Sequence, residues 1–201
     1  MKSISSLLRA FRDDERGSMA IELLLVVPIL LWVFLSTFVY FDVFRVETNS
    51  VRATITLAEM FSREDTVNNT FLNSARSVLQ TLTFEESNPD YRVTVYTYNQ
   101  SEDEFQVVWS RRRGDGFAEN LRTADLDVLR AEGRLPPMDN FDQNIYIETR
   151  TEYDAPFNIG LGPFTVTNLE DLTFTSDMII RPRGVRLCFQ QNNGNSLCGP
   201  G

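Results

Sequence analysis

Apolar residues are spread unevenly along the chain, and the densest run lies near the N-terminus. Between Met19 and Phe41 the run is 23 residues long, and its only polar residues are Glu22, Ser36 and Thr37. A helix of this length measures about 34 Å, enough to cross a hydrocarbon core of ~30 Å. The apolar core of a secretory signal peptide is shorter and is followed by a small-residue cleavage pattern, which the residues after this run lack. We therefore expect one transmembrane helix in contact with membrane lipid.

The helical pattern continues beyond the apolar run. Phe44, Val51, Ile55 and Ala58 are spaced by seven, four and three residues, which places them on one face of a helix. The stretch from Ser18 to Phe61 is therefore predicted to be a single helix. Its first part is apolar all round, and its later part is amphipathic.

Strand-like patterns dominate the second half of the chain. Four segments are rich in β-branched and aromatic residues or alternate between apolar and polar positions: Tyr91–Tyr98, Phe105–Trp109, about Asn144–Tyr153 and about Asp171–Arg181. Short helices are predicted around Phe71–Leu82, before the first strand, and around Phe117–Val128, between the second and third. Helices first and strands later, without regular βαβ alternation, indicate an α+β fold with an antiparallel sheet of about four strands.

These patterns divide the chain into three parts. Residues 1–17 form a short charged leader, residues 18–61 form the transmembrane helix and its amphipathic extension, and residues 62–201 form an α+β domain with a C-terminal cysteine loop. Four basic residues precede the apolar run and two follow it closely: Lys2, Arg9, Arg12 and Arg16, then Arg45 and Arg52. Because basic residues favour the cytoplasmic side, we expect a cytoplasmic leader and an exported domain.

The chain has two cysteines, Cys188 and Cys198, separated by a segment rich in residues that turn easily: Asn192, Asn193, Gly194 and Asn195. In the oxidising compartment of an exported domain, a disulfide between them is expected. A pair of free thiols in a disordered tail is the alternative. Two cysteines without any histidine cannot complete a four-ligand structural zinc site, so we expect no metal.

Composition argues against several classes of function. The formal net charge is −9, whereas a nucleic-acid partner requires a basic surface. The chain has no histidine, which removes every catalytic arrangement that depends on one. The sequence displays neither a nucleophile–base pair nor a metal cluster. We therefore expect no enzymatic activity, no cofactor, no small-molecule substrate and no nucleic-acid partner.

Glu22 is the one charge within the apolar run. A carboxylate at the centre of a membrane helix costs ~2.5–3.5 kcal/mol on insertion scales, and the position of Glu22 near the helix start reduces this cost without abolishing it. Gly17 lies at the membrane face, where a protease can approach a backbone that has no side chain. Cleavage after Gly17 makes Ser18 the new N-terminus and Glu22 the fifth residue, able to pair with the terminal ammonium of an adjacent subunit. Pro28 removes one helix hydrogen bond and allows a local kink or unwinding.

This segment resembles the prepilin motif. The stretch Arg16-Gly17-Ser18-Met19-Ala20-Ile21-Glu22-Leu23-Leu24-Leu25-Val26-Val27-Pro28 is similar to the TadE/TadF-like pseudopilins of tight-adherence (type IVc) pilus systems. Leu23 departs from the family pattern, which commonly has an aromatic residue after the glutamate. The segment from Phe174 to Arg183 also resembles the last strand of that family, though less specifically.

The resemblance implies a function and a set of partners. It implies cleavage by a prepilin peptidase between Gly17 and Ser18, and it assigns Glu22 and Pro28 to subunit assembly. The partners it implies are other pilin subunits and the inner-membrane pilus assembly machinery. The chain is then expected to be a minor pilin that primes or tips a pilus used in surface attachment. Its expected location is the bacterial inner membrane, with the domain in the periplasm or on the assembled pilus.

Two other classes of function remain open. A non-pilus single-pass membrane protein would carry an exported sensor or binding domain and would keep residues 1–17. An exported enzyme would need catalytic groups that the sequence does not display. The mass of the mature chain separates a pilin-like subunit from a sensor, because only the pilin-like subunit loses its leader.

Overall fold

The computed structural model describes residues 18–83, 89–153, 172–184 and 186–199. Its longest element is helix α1, Ser18–Ser62, with 45 residues. This confirms the predicted single helix and its end near Phe61. Pro28 lies inside the helix, which continues on both sides of it. The helix is long and apolar enough to span a membrane.

The other elements follow α1 in chain order. They are β1 (Thr66–Val67), α2 (Asn69–Thr83), β2 (Asp90–Asn99), β3 (Glu104–Arg113), α3 (Thr123–Ala131), β4 (Gln143–Tyr153), β5 (Leu172–Ile180), β6 (Cys188–Gln190) and β7 (Ser196–Leu197). The predicted α+β class is confirmed, and each of the four predicted strands overlaps one of the long strands β2 to β5.

The four long strands form one antiparallel sheet in the order β3–β2–β4–β5. Val95 of β2 lies opposite Trp109 of β3 and Ile145 of β4, which defines the register of the central strands. The predicted antiparallel sheet is therefore confirmed. Strands β3 and β5 form its edges, whereas β2 and β4 are largely buried.

A second, smaller sheet joins distant parts of the chain. Strand β1 pairs in parallel with β6, so that Val67 lies opposite Phe189, and β6 pairs antiparallel with β7. The sequence did not predict this sheet, because strands of two or three residues are too short to show a periodic pattern. The pairing attaches the C-terminal segment to the residues just after α1.

The second half of α1 packs across β4 and β5. Hydroxyl side chains line the first part of this contact. Ser50 Oγ lies 3.2 Å from Thr151 Oγ1, and Thr54 Oγ1 lies 2.5 Å from Thr149 Oγ1. All four side chains are buried. Because these hydroxyls bond to one another, helix and sheet approach closely there without leaving a polar group unpaired.

The buried face of α1 is not the apolar face that the sequence predicts. Phe44, Val51 and Ile55 are 62%, 43% and 43% exposed, and only Ala58 of the predicted set is buried. The residues of this helix that join the main core are Ala53, Leu57, Ala58 and Phe61. The extension has two apolar stripes, and residue spacing alone does not decide which of them meets the sheet.

The sheet is covered on both faces. On one face, α1, α2 and the small sheet enclose the main core, whose members from the strands include Tyr91, Val93, Val95, Trp109, Ile145 and Ile147. On the opposite face, α3 covers a smaller cluster: Tyr96, Phe105, Leu121, Leu126, Leu129 and Tyr146. The domain therefore surrounds a sheet from two sides, and α1 leaves it from one of them.

Leu57→Ala tests which face of α1 belongs to the core. Leu57 is 1% exposed, so its truncation is expected to lower the free energy of unfolding by ~2–5 kcal/mol. Ile55→Ala, on the exposed side of the same helix, is the matched control and is expected to cost less than ~1 kcal/mol. Urea unfolding of the full chain in detergent, followed by tryptophan fluorescence, measures both values. A larger loss for Ile55→Ala would contradict the packing described here.

Candidate functional site

The exposed side of α1 carries a continuous stripe that we call the helix seam. Its ten positions are spaced alternately by four and three residues: Leu23, Val27, Leu30, Phe34, Thr37, Phe41, Phe44, Thr48, Val51 and Ile55. All ten are exposed. A spacing that alternates between four and three residues keeps side chains in one slowly winding stripe along a helix, and two helices that pack side by side use this spacing.

The two threonines of the helix seam do not interrupt its apolar character. Thr37 Oγ1 donates to Val33 O at 2.8 Å, and Thr48 Oγ1 donates to Phe44 O at 2.8 Å. Because each hydroxyl is bonded within its own helix, neither needs a partner outside it. The stripe can therefore meet an apolar surface along its whole length.

The helix seam is longer than a membrane is thick. From Leu23 to Ile55 it measures about 48 Å of helix, against ~30 Å for the hydrocarbon core of a bilayer. Phe44, Val51 and Ile55 lie beyond the apolar run and are exposed. A bilayer centred on the apolar run would not cover all of them, so this part of the seam has the exposed apolar character of a protein-binding surface.

Three of the four residues predicted for processing and assembly, Ser18, Glu22 and Pro28, lie in the first part of α1. Gly17 lies outside the described residues, and Ser18 begins the helix. Glu22 is exposed about one turn further on, beside Leu23 of the helix seam, and no basic residue in the described part of the chain forms a salt bridge with it. Pro28 is exposed in the same helix. Glu22 and Pro28 lie on the exposed surface of the apolar part of α1 and not among the residues that line a pocket of the domain.

The C-terminal cysteine loop is an ordered part of the domain. Cys188 and Cys198 form a disulfide with their Cα atoms 4.3 Å apart, which confirms the predicted bond. Gln143 holds both ends of the loop, because its Nε2 donates to Cys198 O at 2.5 Å and its Oε1 accepts from Leu187 N at 3.1 Å. Trp109 Nε1 donates to Leu187 O at 3.1 Å. The alternative of free thiols in a disordered tail is therefore wrong.

A cleft of about 510 Å³ lies where β4 begins and β5 ends. Arg181 and Asp142 form an ion pair in its lining, which also includes Pro136, Pro137, Met138, Asp139, Asn144, Ile179 and Ile180. Across the described ranges, no group of three or more cysteine, aspartate or glutamate side chains is placed to hold a metal ion. The lining pairs no nucleophile with a base, so we assign no reaction to the cleft.

Comparison with known proteins identifies no relative: no family model, curated protein or solved structure matches the chain. Function is therefore inferred from the helix, the domain and the side chains themselves. Sequence reasoning singled out Glu22 and Pro28, whose assembly role stays a prediction, and it did not predict the helix seam. The signal that was available is the unbroken four–three spacing, which continues from the apolar run into the amphipathic extension.

Replacing both cysteines by serine tests the contribution of the loop. The double variant Cys188→Ser with Cys198→Ser is expected to lower the free energy of unfolding by ~2–3 kcal/mol, because an open loop gains entropy in the unfolded chain. Asn193→Ser, an exposed change within the same loop, is the matched control and is expected to be neutral. Urea unfolding measures both. Thiol labelling of the wild-type chain without reductant should find no free cysteine, and two labelled thiols would contradict the bond.

Proposed function

We propose that this chain is a pilin-like assembly subunit, similar to the TadE/TadF-like minor pilins, that primes or tips a pilus used in surface attachment. The observation that supports the proposal is the position of the segment from Gly17 to Glu22, which leads directly into one unbroken apolar helix. That helix combines a stretch long enough to span a membrane, an exposed seam and attachment to a folded domain. A membrane-anchored structural subunit requires these features together.

We also propose a location for the chain and an orientation of its helix in the membrane. The N-terminus lies in the cytoplasm, the helix crosses the bacterial inner membrane, and the domain stands in the periplasm before assembly. The excess of basic residues before the helix supports this orientation. The disulfide between Cys188 and Cys198 agrees with an oxidising compartment. The expected partners are a prepilin peptidase, other pilin subunits and the assembly machinery of the inner membrane.

Glu22 would set the register in which two such helices pack. After removal of residues 1–17, the new ammonium group belongs to Ser18, about one helical turn from Glu22. A carboxylate on an apolar helix surface gains more from pairing with a neighbour's ammonium than it would in water, because the surrounding dielectric constant is low. The helix seam beside Glu22 then supplies the apolar contact along the rest of the helix.

Pro28 supplies a second feature that a packed helix can use. Proline has no N–H, so Leu24 O, four residues earlier, lacks its helical donor. The helix therefore has one position where bending or local unwinding breaks no hydrogen bond. We infer that this position adjusts the first turns of α1 to neighbouring subunits.

The mature N-terminus is the first test of this function. We expect the mature chain to begin at Ser18. Gly17→Phe is expected to leave the full-length chain in the membrane, because a bulky side chain keeps the peptidase from the backbone. Ser18→Ala keeps a small residue after the cleaved bond and, as the matched control, should be processed. Mass spectrometry measures the mass of the mature wild-type chain and of both variants. An intact wild-type mass would favour the alternative of a membrane protein with an exported sensor or binding domain.

Glu22→Gln tests the assembly role separately from processing. A neutral amide is cheaper in lipid than a carboxylate, so the variant should be made, inserted and cleaved normally. It leaves the ammonium of a neighbouring subunit without its partner, a loss of ~3–5 kcal/mol for a buried pair, and pilus formation should fail. Glu47→Gln, exposed on the same helix beyond the apolar run, is the matched control. Wild-type pilus numbers in electron micrographs of the processed Glu22→Gln variant would rule out the pairing role.

A further inference from the structure

Opposite charges lie at the two ends of edge strand β3. The turn that enters the strand contains Glu102, Asp103 and Glu104, and the strand ends with three arginines, Arg111 to Arg113. Ten residues of strand separate the two ends by about 30 Å. The domain of a chain with net charge −9 therefore has a concentrated basic site at one end of an edge strand and an acidic site at the other.

Arg111 and Arg113 lie on the same face of β3 and form what we call the arginine corner. Arg113 bridges to the start of α2: its Nε donates to Asn73 Oδ1 at 2.7 Å, and its Nη2 donates to Asn69 Oδ1 at 2.7 Å. Asn69 Nδ2 in turn donates to Asn192 Oδ1 of the cysteine loop at 3.1 Å. Neutral amides therefore hold Arg113 in place and leave its positive charge uncompensated.

Arg111 is held in place with even fewer polar partners. Its guanidinium lies 4.4 Å from the centre of the Phe189 ring, and its Nη1 donates to Ser110 O at 2.8 Å. Within the described ranges no carboxylate forms a salt bridge with Arg111 or Arg113. Burial, followed by the nearby charge of Arg113, lowers the pKa of Arg111 from its usual value. Nε and Nη2 of Arg111 make no hydrogen bond to any residue that the structure describes, and together they form an edge of the kind that binds a carboxylate with two bonds.

At the other end of β3, the residues Gln100 to Glu104 form a braced loop that we call the acidic turn. Asp103 adopts a φ of 53°, accepts from Tyr98 Oη at 2.6 Å and pairs with Arg130 at 2.8 Å. Gln100 N donates to Asn140 Oδ1 at 2.9 Å. These bonds tie the acidic turn to β2, to α3 and to the segment before β4.

Neither glutamate of the acidic turn forms a salt bridge with a residue that the structure describes. Glu102 Oε2 accepts only from neutral amides, at 3.0 Å from Asn99 Nδ2 and 2.9 Å from Gln106 Nε2. Glu104 makes no salt bridge with any residue that the structure describes. The turn therefore presents two unpaired carboxylates on a rigid support, as the arginine corner presents two unpaired guanidinium groups.

We propose that the acidic turn of one copy of the chain docks on the arginine corner of a second copy. Charge complementarity favours a second copy, because each chain carries both halves of the contact at opposite ends of one strand. A contact between different patches on identical chains links copy to copy, and it builds a closed ring or an open helical array depending on the rotation between copies. Both halves are preorganised, so little conformational entropy is lost when they meet.

The two halves also lie at different distances from the apolar part of α1. Tyr91 of β2 lies opposite Arg113 of β3 and Thr149 of β4. Tyr153 lies four residues after Thr149 in β4, and its Oη donates to Asp42 of α1 at 3.1 Å. The arginine corner is therefore at the end of the sheet nearer the apolar run, and the acidic turn is at the far end. Two copies anchored at equal height in one membrane cannot join in this way. One copy must be displaced along the helix direction by about the length of β3, a consequence that rests on the proposed function, whereas the contact itself does not.

Charge reversal and mixing test the contact. The full chain in detergent micelles is examined by sedimentation velocity at about 50 mM and about 500 mM salt. The wild-type chain should associate at low salt and dissociate at high salt. Arg111→Glu, and separately Glu102→Lys with Glu104→Lys, should each weaken association by about tenfold or more. A mixture of these two variants should recover it, because each reversed half then meets an opposite charge. Arg52→Glu, an exposed change on α1 at a residue without a salt bridge in the described part of the chain, is the matched control and should behave as wild type.

Two results of this experiment would contradict the proposed contact. A wild-type chain that is monomeric at low salt overturns the proposal, and so does a mixture that fails to recover. Association through the helix seam is apolar and is not weakened by salt, so salt separates it from the proposed contact. If the Arg111→Glu variant fails to form the disulfide, the double variant of the acidic turn, Glu102→Lys with Glu104→Lys, still tests the proposed contact by itself. Failure here leaves processing at Gly17 untouched, so it is distinguishable from failure of the proposed function.

Discussion

The packing of one face of α1 on the sheet is the contact on which the rest of the structure depends. Leu57 and Phe61 are almost fully buried and join the main core together with residues of α2 and the sheet. Because α1 is a single helix, this contact also fixes the direction in which its apolar half leaves the domain. The same contact turns the helix seam outward. The burial of one side of α1 and the exposure of its other side therefore both follow from this contact.

The character of this contact changes along α1. Ser50 and Thr54 meet hydroxyl groups of β4, whereas at the end of the helix Phe61 packs edge-on against Phe71, with ring centroids 5.2 Å apart. The buried hydroxyl groups satisfy one another, and the aromatic rings bury large apolar surfaces. The contact of α1 is therefore polar on the side of the apolar run and aromatic at the end of the helix.

The cysteine loop connects parts of the domain that would otherwise be independent. Phe189 lies beneath Arg111 and opposite Val67, and Gln143 binds both ends of the loop. The disulfide closes the segment that contains Phe189, the ring on which the guanidinium of Arg111 lies. A covalent bond that forms in an oxidising compartment thereby stabilises the surface on which the proposed contact between copies depends.

The sequence by itself determined the features whose signals are local. An apolar run of 23 residues specified α1, alternating and β-branched segments specified the four long strands, and Glu22 within the run marked the candidate site. Tertiary structure decided which stripe of α1 is buried. Both stripes are apolar, and the sheet accepts the one that contains Ala53 and Leu57, leaving Val51 and Ile55 exposed. Tertiary structure also determined the pairing of the small sheet and the arrangement of the arginine corner. Those contacts join residues far apart in the chain, and local periodicity carries no signal of such pairs.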